Sequence, residues 1–335
     1  MRISMVSDEV PGARQVTELA AALTRCGHDV SVHLRQTDSD GFRDLLARQW
    51  RRRRPDVVHA HFWESGLVSL LAARGLGLPV VQTFHTFSAL ARGPARPREE
   101  RMVARHATQV AATCTEEKFD LIRSGVRRPR VSVVPYGVDL VRFTPDGPVA
   151  KRGDRPRIVC VTRSATRQEH DVAIAALARI PDAELVVAQD QTSLADGPDT
   201  RRLKEVAERR GVAHRVVVVP RLRQDALPAL LRSADLALCV GGPALASSLP
   251  LEAMACGVPV VAATPSDVDA LIDGVTGNHV RSQEPAEIAH VVRRLLADPG
   301  RRESYGVGGR DRAQACCSWK HVALEAVHAY EGAGA

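Results

Sequence analysis

Short apolar runs alternate with longer amphipathic segments over the whole length of this 335-residue chain. Runs in which apolar, β-branched residues follow one another are typical of strands buried on both faces of a parallel sheet. In the first half of the chain, the pattern predicts strands at 2–6, 30–34, 56–61, 79–84, 109–113 and 131–134, and helices at 13–26, 41–54, 65–74 and 98–106. Strands that alternate with helices in this way predict an α/β fold with a doubly wound parallel sheet and right-handed crossovers.

A polar segment rich in proline and glycine, 145–157 (PDGPVAKRGDRPR), interrupts the pattern and is the best linker in the chain. The alternation then resumes, with predicted strands at 158–161, 184–188, 216–219, 236–240 and 258–263, and helices at 172–178, 200–211, 227–233, 287–297 and 319–330. We therefore expect two Rossmann-like domains around a cleft, an N-terminal one over 1–148 and a C-terminal one over 156–318.

The segment 234–280 forms the clearest βαβ unit in the pattern. Its turn, 241–249, leads from a strand into a helix that begins near Pro250 and stops before Gly257. Such a turn lies at the carboxyl end of a parallel strand, where open α/β sheets bind ligands, and the helix start favours anions. Glu252, in the first helical turn, is therefore either a carboxylate that stabilises the helix dipole or a group that faces a ligand.

The formal net charge of +7 comes almost entirely from arginine, because lysine occurs only at positions 118, 151, 204 and 320. The one dense basic run, 51–54, ends a predicted helix, where cations complement the helix dipole. It is short for a nucleic-acid patch, and aromatic residues that would stack on bases make up only 4% of the chain. We expect no nucleic-acid partner; the positive charge fits an anionic small substrate.

Other features of the composition narrow the class of protein further. No apolar run approaches the length of a membrane-spanning helix, and the first residues lack the apolar core of a signal peptide, so we expect a cytoplasmic protein. The seven cysteines lack paired metal-ligand spacing and predict buried free thiols. His59 and His61 share one face of a predicted strand, and we interpret them as lining the core or a cleft, because no third metal ligand has suitable spacing.

Several motifs together resemble the glycosyltransferases of the family-4 type, in particular those of actinobacteria that make mycothiol or sucrose-type products. They are DVVHAH at 56–61 followed by SGL at 65–67, PVVQTFH at 79–85, VVPYGVDLVRFTP at 133–145, PLEAMACGVPVVA at 250–262 and DGVTG at 273–277. The resemblance covers nearly the whole chain. It implies the GT-B fold, with two Rossmann-like domains facing a central cleft and a C-terminal helix, 319–332, that packs back onto the N-terminal domain.

The resemblance also implies a reaction: transfer of a hexose-type sugar, with retention, from a nucleotide diphosphate sugar to a small-molecule acceptor. The donor in this family is usually linked to UDP, and no metal or other cofactor takes part. Two matches to the metal-binding D-x-D pattern, at 38–40 and 267–269, stand in unsuitable contexts, and we interpret them as chance. The charge of the leaving diphosphate would then be met by protein cations and helix N-termini.

The residues that match the family's site are distributed over both predicted domains. By resemblance, Arg163 would hold the diphosphate, Glu252 the ribose hydroxyls, and His85 would lie beside the transferred hexose as the catalytic residue. Four further residues complete the predicted donor site, namely Gly12 in the first loop, Arg167, Ser248 and Leu249. Alternative interpretations remain, since Arg163 could be a surface arginine and His85 a structural histidine.

The sequence departs from the family pattern at several places around this site. Ala244 replaces the first glutamate of E-x7-E, Gln168 replaces the lysine of R-x4-K with Arg167 one residue away, and the first Gly-Gly loop is reduced to Gly12 and Ala13. Ser247 stands where a glycine is usual, and Pro265-Ser266 replace a second Gly-Gly pair.

These departures leave three hypotheses open. The first is a transferase adapted to a different sugar, such as a deoxy or amino sugar. The second is a catalytically impaired GT-B protein that binds an active paralogue as a scaffold partner. The third is another GT-B reaction, such as epimerisation or hydrolysis of a nucleotide sugar. The acceptor, the nucleotide base and the oligomeric state, including a homodimer, are not determined by the sequence.

Overall fold

A computed structural model describes residues 1–8, 13–35, 38–85, 98–162, 167–190, 200–240, 248–263, 269–280 and 282–335, with only the backbone described at 13, 162, 167–169 and 190. Contacts between Cα atoms divide the chain into two compact units. Unit 1 comprises Met1–Gly137 together with Trp319–Ala335, and unit 2 comprises Val138–Ser318.

Unit 1 contains a six-stranded parallel sheet in the order β2-β1-β3-β4-β5-β6. Its strands are β1 (Arg2–Asp8), β2 (Asp29–Arg35), β3 (Val57–His61), β4 (Val80–Thr83), β5 (Gln109–Ala112) and β6 (Val131–Val133). Its helices are α1 (Ala13–Arg25), α2 (Ser39–Arg52), α3 (Trp63–Arg74), α4 (Arg98–His106), α5 (Thr115–Arg123) and the last helix of the chain (Trp319–Gly332). The central strands β3 and β4 are buried throughout, as their uninterrupted apolar patterns predict.

The two faces of this sheet carry separate apolar cores. On one face, Ile3 and Met5 of β1 pack with Leu23 of α1 and with Val322 and Tyr330 of the last helix. On the other face, residues of α2 and α3 cover the strands, including Phe42, Leu46, Trp50 and Val68. The last helix therefore supplies part of the core of unit 1, although unit 2 precedes it in the sequence.

Unit 2 contains a second six-stranded parallel sheet, in the order β12-β11-β10-β7-β8-β9. Its strands are β7 (Arg157–Thr162), β8 (Glu184–Asp190), β9 (Val216–Leu222), β10 (Leu236–Val240), β11 (Val260–Ala263) and β12 (Gly277–His279). Its helices are α6 (Arg167–Leu177), α7 (Thr200–Arg209), α8 (Leu227–Arg232), α9 (Leu249–Ala255), α10 (Pro285–Leu296) and α11 (Pro299–Cys317); the last helix of the chain is α12.

The boundary between unit 1 and unit 2 follows Gly137, so it precedes the segment 145–157 that the sequence predicts as the linker. Hydrogen bonds hold this segment to α8 of unit 2. Arg232 Nε donates to the carbonyl of Pro148 at 2.8 Å, and the amide of Ala150 donates to the carbonyl of Ala229 at 2.9 Å. A Pro/Gly-rich composition marks irregular structure, but the composition alone does not decide which unit the segment packs against.

Helix α11 is absent from the sequence-based prediction, because four glycines lower the helical propensity of its segment. The structure gives a reason for two of them. A Cβ on Gly306 would lie 2.3 Å from the carbonyl oxygen of Gly257, and a Cβ on Gly309 would lie 3.3 Å from the Met254 side chain. The glycines thus permit close approach of α11 to α9, and tertiary packing overrides the local preference.

Candidate functional site

The strand order of unit 2 creates a switch point between β7 and β10. From β7 the chain builds outward through β8 to β9, whereas β10, β11 and β12 extend the sheet in the opposite direction. In open α/β sheets, ligands bind beyond the carboxyl ends of the two strands at such a point. These strands lead into 163–166 and 241–247, which lie outside the described residues and include Arg163, Ala244 and Ser247.

Helix α9 brings the described part of the predicted donor site to this switch point. The helix follows Ser248 directly, starts at Leu249 and has a proline in its first turn. Glu252 lies in the same first turn with only 3% of its surface exposed, and Ser248 Oγ donates a hydrogen bond to Glu252 Oε1 at 3.1 Å. A buried carboxylate needs hydrogen-bond donors, and Ser248 supplies one, so Glu252 is not a solvated surface charge.

In unit 1, the predicted residue His85 lies just beyond the carboxyl end of β4. Its φ angle is +62°, and Phe62, which follows β3, has a φ angle of +67°. Left-handed backbone is uncommon for residues other than glycine, and such strain is concentrated at functional sites. Two strained residues at the ends of neighbouring strands therefore mark this edge of the sheet as a second candidate region.

Three histidines, the buried His59 and His61 and the half-buried His85, form what we call the histidine cluster. His61 Nδ1 is 2.9 Å from His85 Nε2, and His85 Nδ1 is 2.9 Å from the hydroxyl of Tyr136. His59 Nδ1 is 2.8 Å from the hydroxyl of Tyr330 on α12. Aromatic contacts reinforce these bonds, with ring centroids of His59 and His61 4.1 Å apart.

The histidine cluster is uncharged at neutral pH. Burial, reinforced by its neighbour His85, lowers the pKa of His59 to about 3, and burial lowers the pKa of His85 to about 4. Burial and the two neighbouring histidines hold the pKa of His61 well below its ordinary value. Within the part of the chain that the structure describes, no group of three or more histidine, cysteine or acidic residues is arranged to hold a metal ion.

The structure brings together some of the predicted site residues. Ser248, Leu249 and Glu252 lie together at the start of α9, and His85 lies in unit 1. Arg167 begins α6 directly after the gap that follows β7, but only its backbone is described. Two predicted residues, Gly12 and Arg163, lie outside the described residues.

Two residues that bond to His85 were not predicted as part of its site, namely His61 and Tyr136. Both residues lie in motifs that were recognised in the sequence, His61 in DVVHAH and Tyr136 in VVPYGVDLVRFTP. The motifs do not predict which side chains are in contact. Those contacts form only in the folded unit, where the side chains of His61 and Tyr136 both reach the ring of His85.

Two family models match successive parts of the chain. The model described as Glycosyltransferase Family 4 matches residues 40–142, and the model described as Glycosyl transferases group 1 matches residues 144–312. No helix among the described residues is long and apolar enough to cross a membrane.

Curated relatives extend the similarity to most of the chain. A D-inositol 3-phosphate glycosyltransferase from Xylanimonas cellulosilytica is 34% identical over 82% of this chain and 71% of the relative. A protein of the same name from Salinispora arenicola is 34% identical over 77% of this chain and 64% of the relative. The chain thus spans about two thirds of the length of these relatives.

Solved structures match the fold over almost the full length. Sucrose-phosphate synthase from Thermosynechococcus elongatus has a TM-score of 0.83 at 22% identity, with 98% of each chain covered. HepE from Anabaena, in complex with UDP-glucose, has a TM-score of 0.81 at 17% identity, again covering 98% of each chain. The chain therefore belongs to the glycosyltransferase enzymes of the family-4 type, and its two parallel sheets with flanking helices have the GT-B fold.

Proposed function

We propose that this protein transfers a hexose-type sugar from UDP to a small-molecule acceptor, with retention and without a metal. The observation that carries the proposal is the buried Glu252 carboxylate, bonded to the half-buried Ser248 at the start of α9, beside the switch point of the second sheet. Structures of similar fold contain UDP and UDP-glucose, which supports UDP as the nucleotide. The curated relatives are named for an inositol phosphate, which supports a small hydroxylated acceptor.

The predicted site residues would have different roles in the proposed reaction. In unit 2, the Glu252 carboxylate would accept two hydroxyl hydrogen bonds from the ribose, since a carboxylate has lone pairs for both. Arg163 and Arg167 would stabilise the negative charge that develops on the leaving diphosphate. In unit 1, His85 would lie beside the sugar carbon whose bond to UDP breaks and whose bond to the acceptor forms.

The sugar itself is the least constrained part of the donor. Ala244 has no polar side chain, whereas the family pattern has a glutamate at this place that would bond to hexose hydroxyls. A deoxy or amino sugar lacks such a hydroxyl, so its binding would be weakened less by the replacement of glutamate with alanine. Removal of a charged hydrogen-bond partner changes affinity by roughly 1.5–3 kcal/mol, or about one to two decades in Kd.

Calorimetric titration with UDP, GDP, ADP and dTDP separately is the direct test. We expect micromolar binding of UDP and much weaker binding of the other three nucleotides. Turnover would then be measured with a set of UDP-sugars and small polyol acceptors.

If none of the four nucleotides binds to demonstrably folded protein, the proposal fails and the scaffold hypothesis gains. The double variant Ala244→Glu, Gln168→Lys then becomes informative. Binding that appears only in this variant would show that the departures from the family pattern had removed the donor site. Release of free sugar from a donor without an acceptor would instead indicate a hydrolase.

A further inference from the structure

Both ring nitrogens of His85 are occupied by partners within unit 1. His61 Nδ1 lies 2.9 Å from His85 Nε2, and the hydroxyl of Tyr136 lies 2.9 Å from His85 Nδ1. His61 reaches His85 because β3 and β4 are parallel neighbours with His61 opposite Thr83, two residues before His85. The two imidazole rings stack with centroids 5.2 Å apart and planes inclined by 21°. The ring of His85 is therefore held along two edges.

The hydrogen bond between the two imidazoles contains a single proton, because both rings are neutral. That proton belongs either to His61 Nδ1 or to His85 Nε2. The other nitrogen of His61, Nε2, is buried and has no hydrogen-bond partner in the described part of the chain. If His85 donated, His61 would carry a buried N–H at Nε2 with no acceptor among the described residues, and orphaned buried N–H groups are rare in proteins. The arrangement with a proton on His61 Nδ1 and a bare Nε2 avoids this.

We propose that His61 is a positioning residue for His85. Its Nδ1–H donates to His85 Nε2, which places the remaining proton of His85 on Nδ1, and this N–H donates to the hydroxyl of Tyr136. The pair of hydrogen bonds fixes both the tautomer and the orientation of the His85 ring. The inference rests on the proposed function in one respect, namely that His85 lies beside the transferred sugar.

The two hydrogen bonds to the His85 ring also help to hold a strained local backbone. His85 has left-handed φ, and so has Phe62, whose ring centroid lies 4.6 Å from that of His85. A strained backbone persists only where the surrounding structure holds it in place. Because the ring nitrogens are already bonded, His85 serves the reaction through the placement of its backbone and ring face. It does not transfer a proton through Nδ1 or Nε2.

Two substitutions distinguish the hydrogen bond that His61 donates to His85 from the packing of the His61 side chain. His61→Leu removes the donor, whereas His61→Asn retains an amide N–H near the position of Nδ1. His328→Leu is the control, because His328 is also in unit 1 but its side chain is 67% exposed. Nitrogen NMR of the ¹⁵N-labelled full chain at neutral pH identifies the tautomer of His85. Steady-state kinetics with UDP-glucose and a polyol acceptor, measured as UDP release, give kcat and KM.

In the wild type we expect one tautomer of His85, with a proton on Nδ1 and a bare Nε2. In His61→Leu this single tautomer is lost and kcat falls on the order of 10²-fold, as for a displaced catalytic group. KM for UDP-glucose changes less than about threefold, because ground-state binding is retained. His61→Asn keeps the tautomer and most of kcat, and His328→Leu resembles the wild type.

Two results would overturn the inference: a proton on His85 Nε2 in the wild type, or equal losses of kcat in the leucine and asparagine variants. Thermal unfolding of each variant distinguishes loss of the fold from misplacement of the His85 ring. If a variant does not fold, the wild-type NMR spectrum still tests the predicted tautomer of His85. Absence of UDP-glucose turnover in the wild type would count against the proposed donor, while the tautomer would still test the role of His61.

Discussion

At the scale of single residues, Glu252 has the clearest consequence for ligand binding. It is a carboxylate inside the unit, in the first turn of a helix, with Ser248 as a hydrogen-bond donor. The sequence leaves two interpretations of this glutamate, a dipole-stabilising group or a ligand. Both place the carboxylate near the helix start, and they differ in what happens to UDP affinity when the charge is removed.

We expect Glu252→Gln to weaken UDP binding by about 1.5–3 kcal/mol, or one to two decades in Kd, because a charged acceptor for hydroxyl groups is lost. Calorimetric titration measures this change. Glu287→Gln is a matched control, because Glu287 also lies in the first turn of a helix that begins with proline, but is exposed. An unchanged UDP affinity in Glu252→Gln would mean that its role is confined to α9.

At the scale of secondary structure, the packing of α3 on β4 depends on one missing side chain. A Cβ on Gly66 would lie 2.0 Å from Gln82 Oε1 and 2.7 Å from Val103 Cγ1. Gln82 has little room to move, since its side-chain amide donates to the carbonyls of Phe62 and Thr83. Gly66 therefore sets how closely α3 approaches the strands that carry the histidine cluster.

Gly66→Ala is expected to lower the free energy of unfolding by about 1–3 kcal/mol, as overpacking in a dense core does. Chemical denaturation measures the loss. Gly75→Ala, at the other end of the same helix, has nothing within 4 Å of the added Cβ and serves as the control. Equal stability of the two variants would contradict the proposed close packing of α3.

Regular elements were predicted where local pattern and tertiary packing agree. The parallel strands with continuous apolar residues and the amphipathic helices α2 and α7 follow the sequence pattern. The glycine-containing helix α11 does not, because its stability comes from contact with α9. The three-residue strand β12 was also absent from the prediction, since its Gly-Asn-His sequence has no apolar run.

At the scale of the whole molecule, buried neutral histidines occur in both units. Burial lowers the pKa of His59 to about 3 and of His85 to about 4 in unit 1, and burial lowers the pKa of His170 to about 4 in unit 2. In the unfolded chain these groups titrate near 6.5. Between about pH 4 and 6.5, the unfolded state therefore binds more protons than the folded state, and stability rises with pH.

We expect the free energy of unfolding to be highest above pH 6.5 and to fall as the pH drops towards 4. Each such histidine contributes up to about 1.4 kcal/mol per pH unit within this window. Denaturant titrations at pH 7.5, 6 and 5 measure the slope. His59→Asn should reduce this slope, and His328→Asn, at an exposed position of the same unit, is the control. A slope that is the same in both variants would show that His59 does not contribute to the acid sensitivity.

The sequence by itself determined the alternation of strands and helices and the family, and it singled out Glu252 and His85 as candidate site residues. It could do so because buried parallel strands require continuous apolar runs, and because short motifs keep their residues together along the chain. Even the departures at Ala244 and Gln168 are visible without coordinates.

The tertiary structure alone decided which distant residues meet. It placed α12 in the core of unit 1, so that Tyr330 bonds to His59 across 271 positions, and it joined His61 to His85 and Tyr136. It also set the switch point between β7 and β10, because strand order is a property of the assembled sheet. Contacts between distant segments depend on the packing of many side chains at once, and local sequence pattern does not encode them.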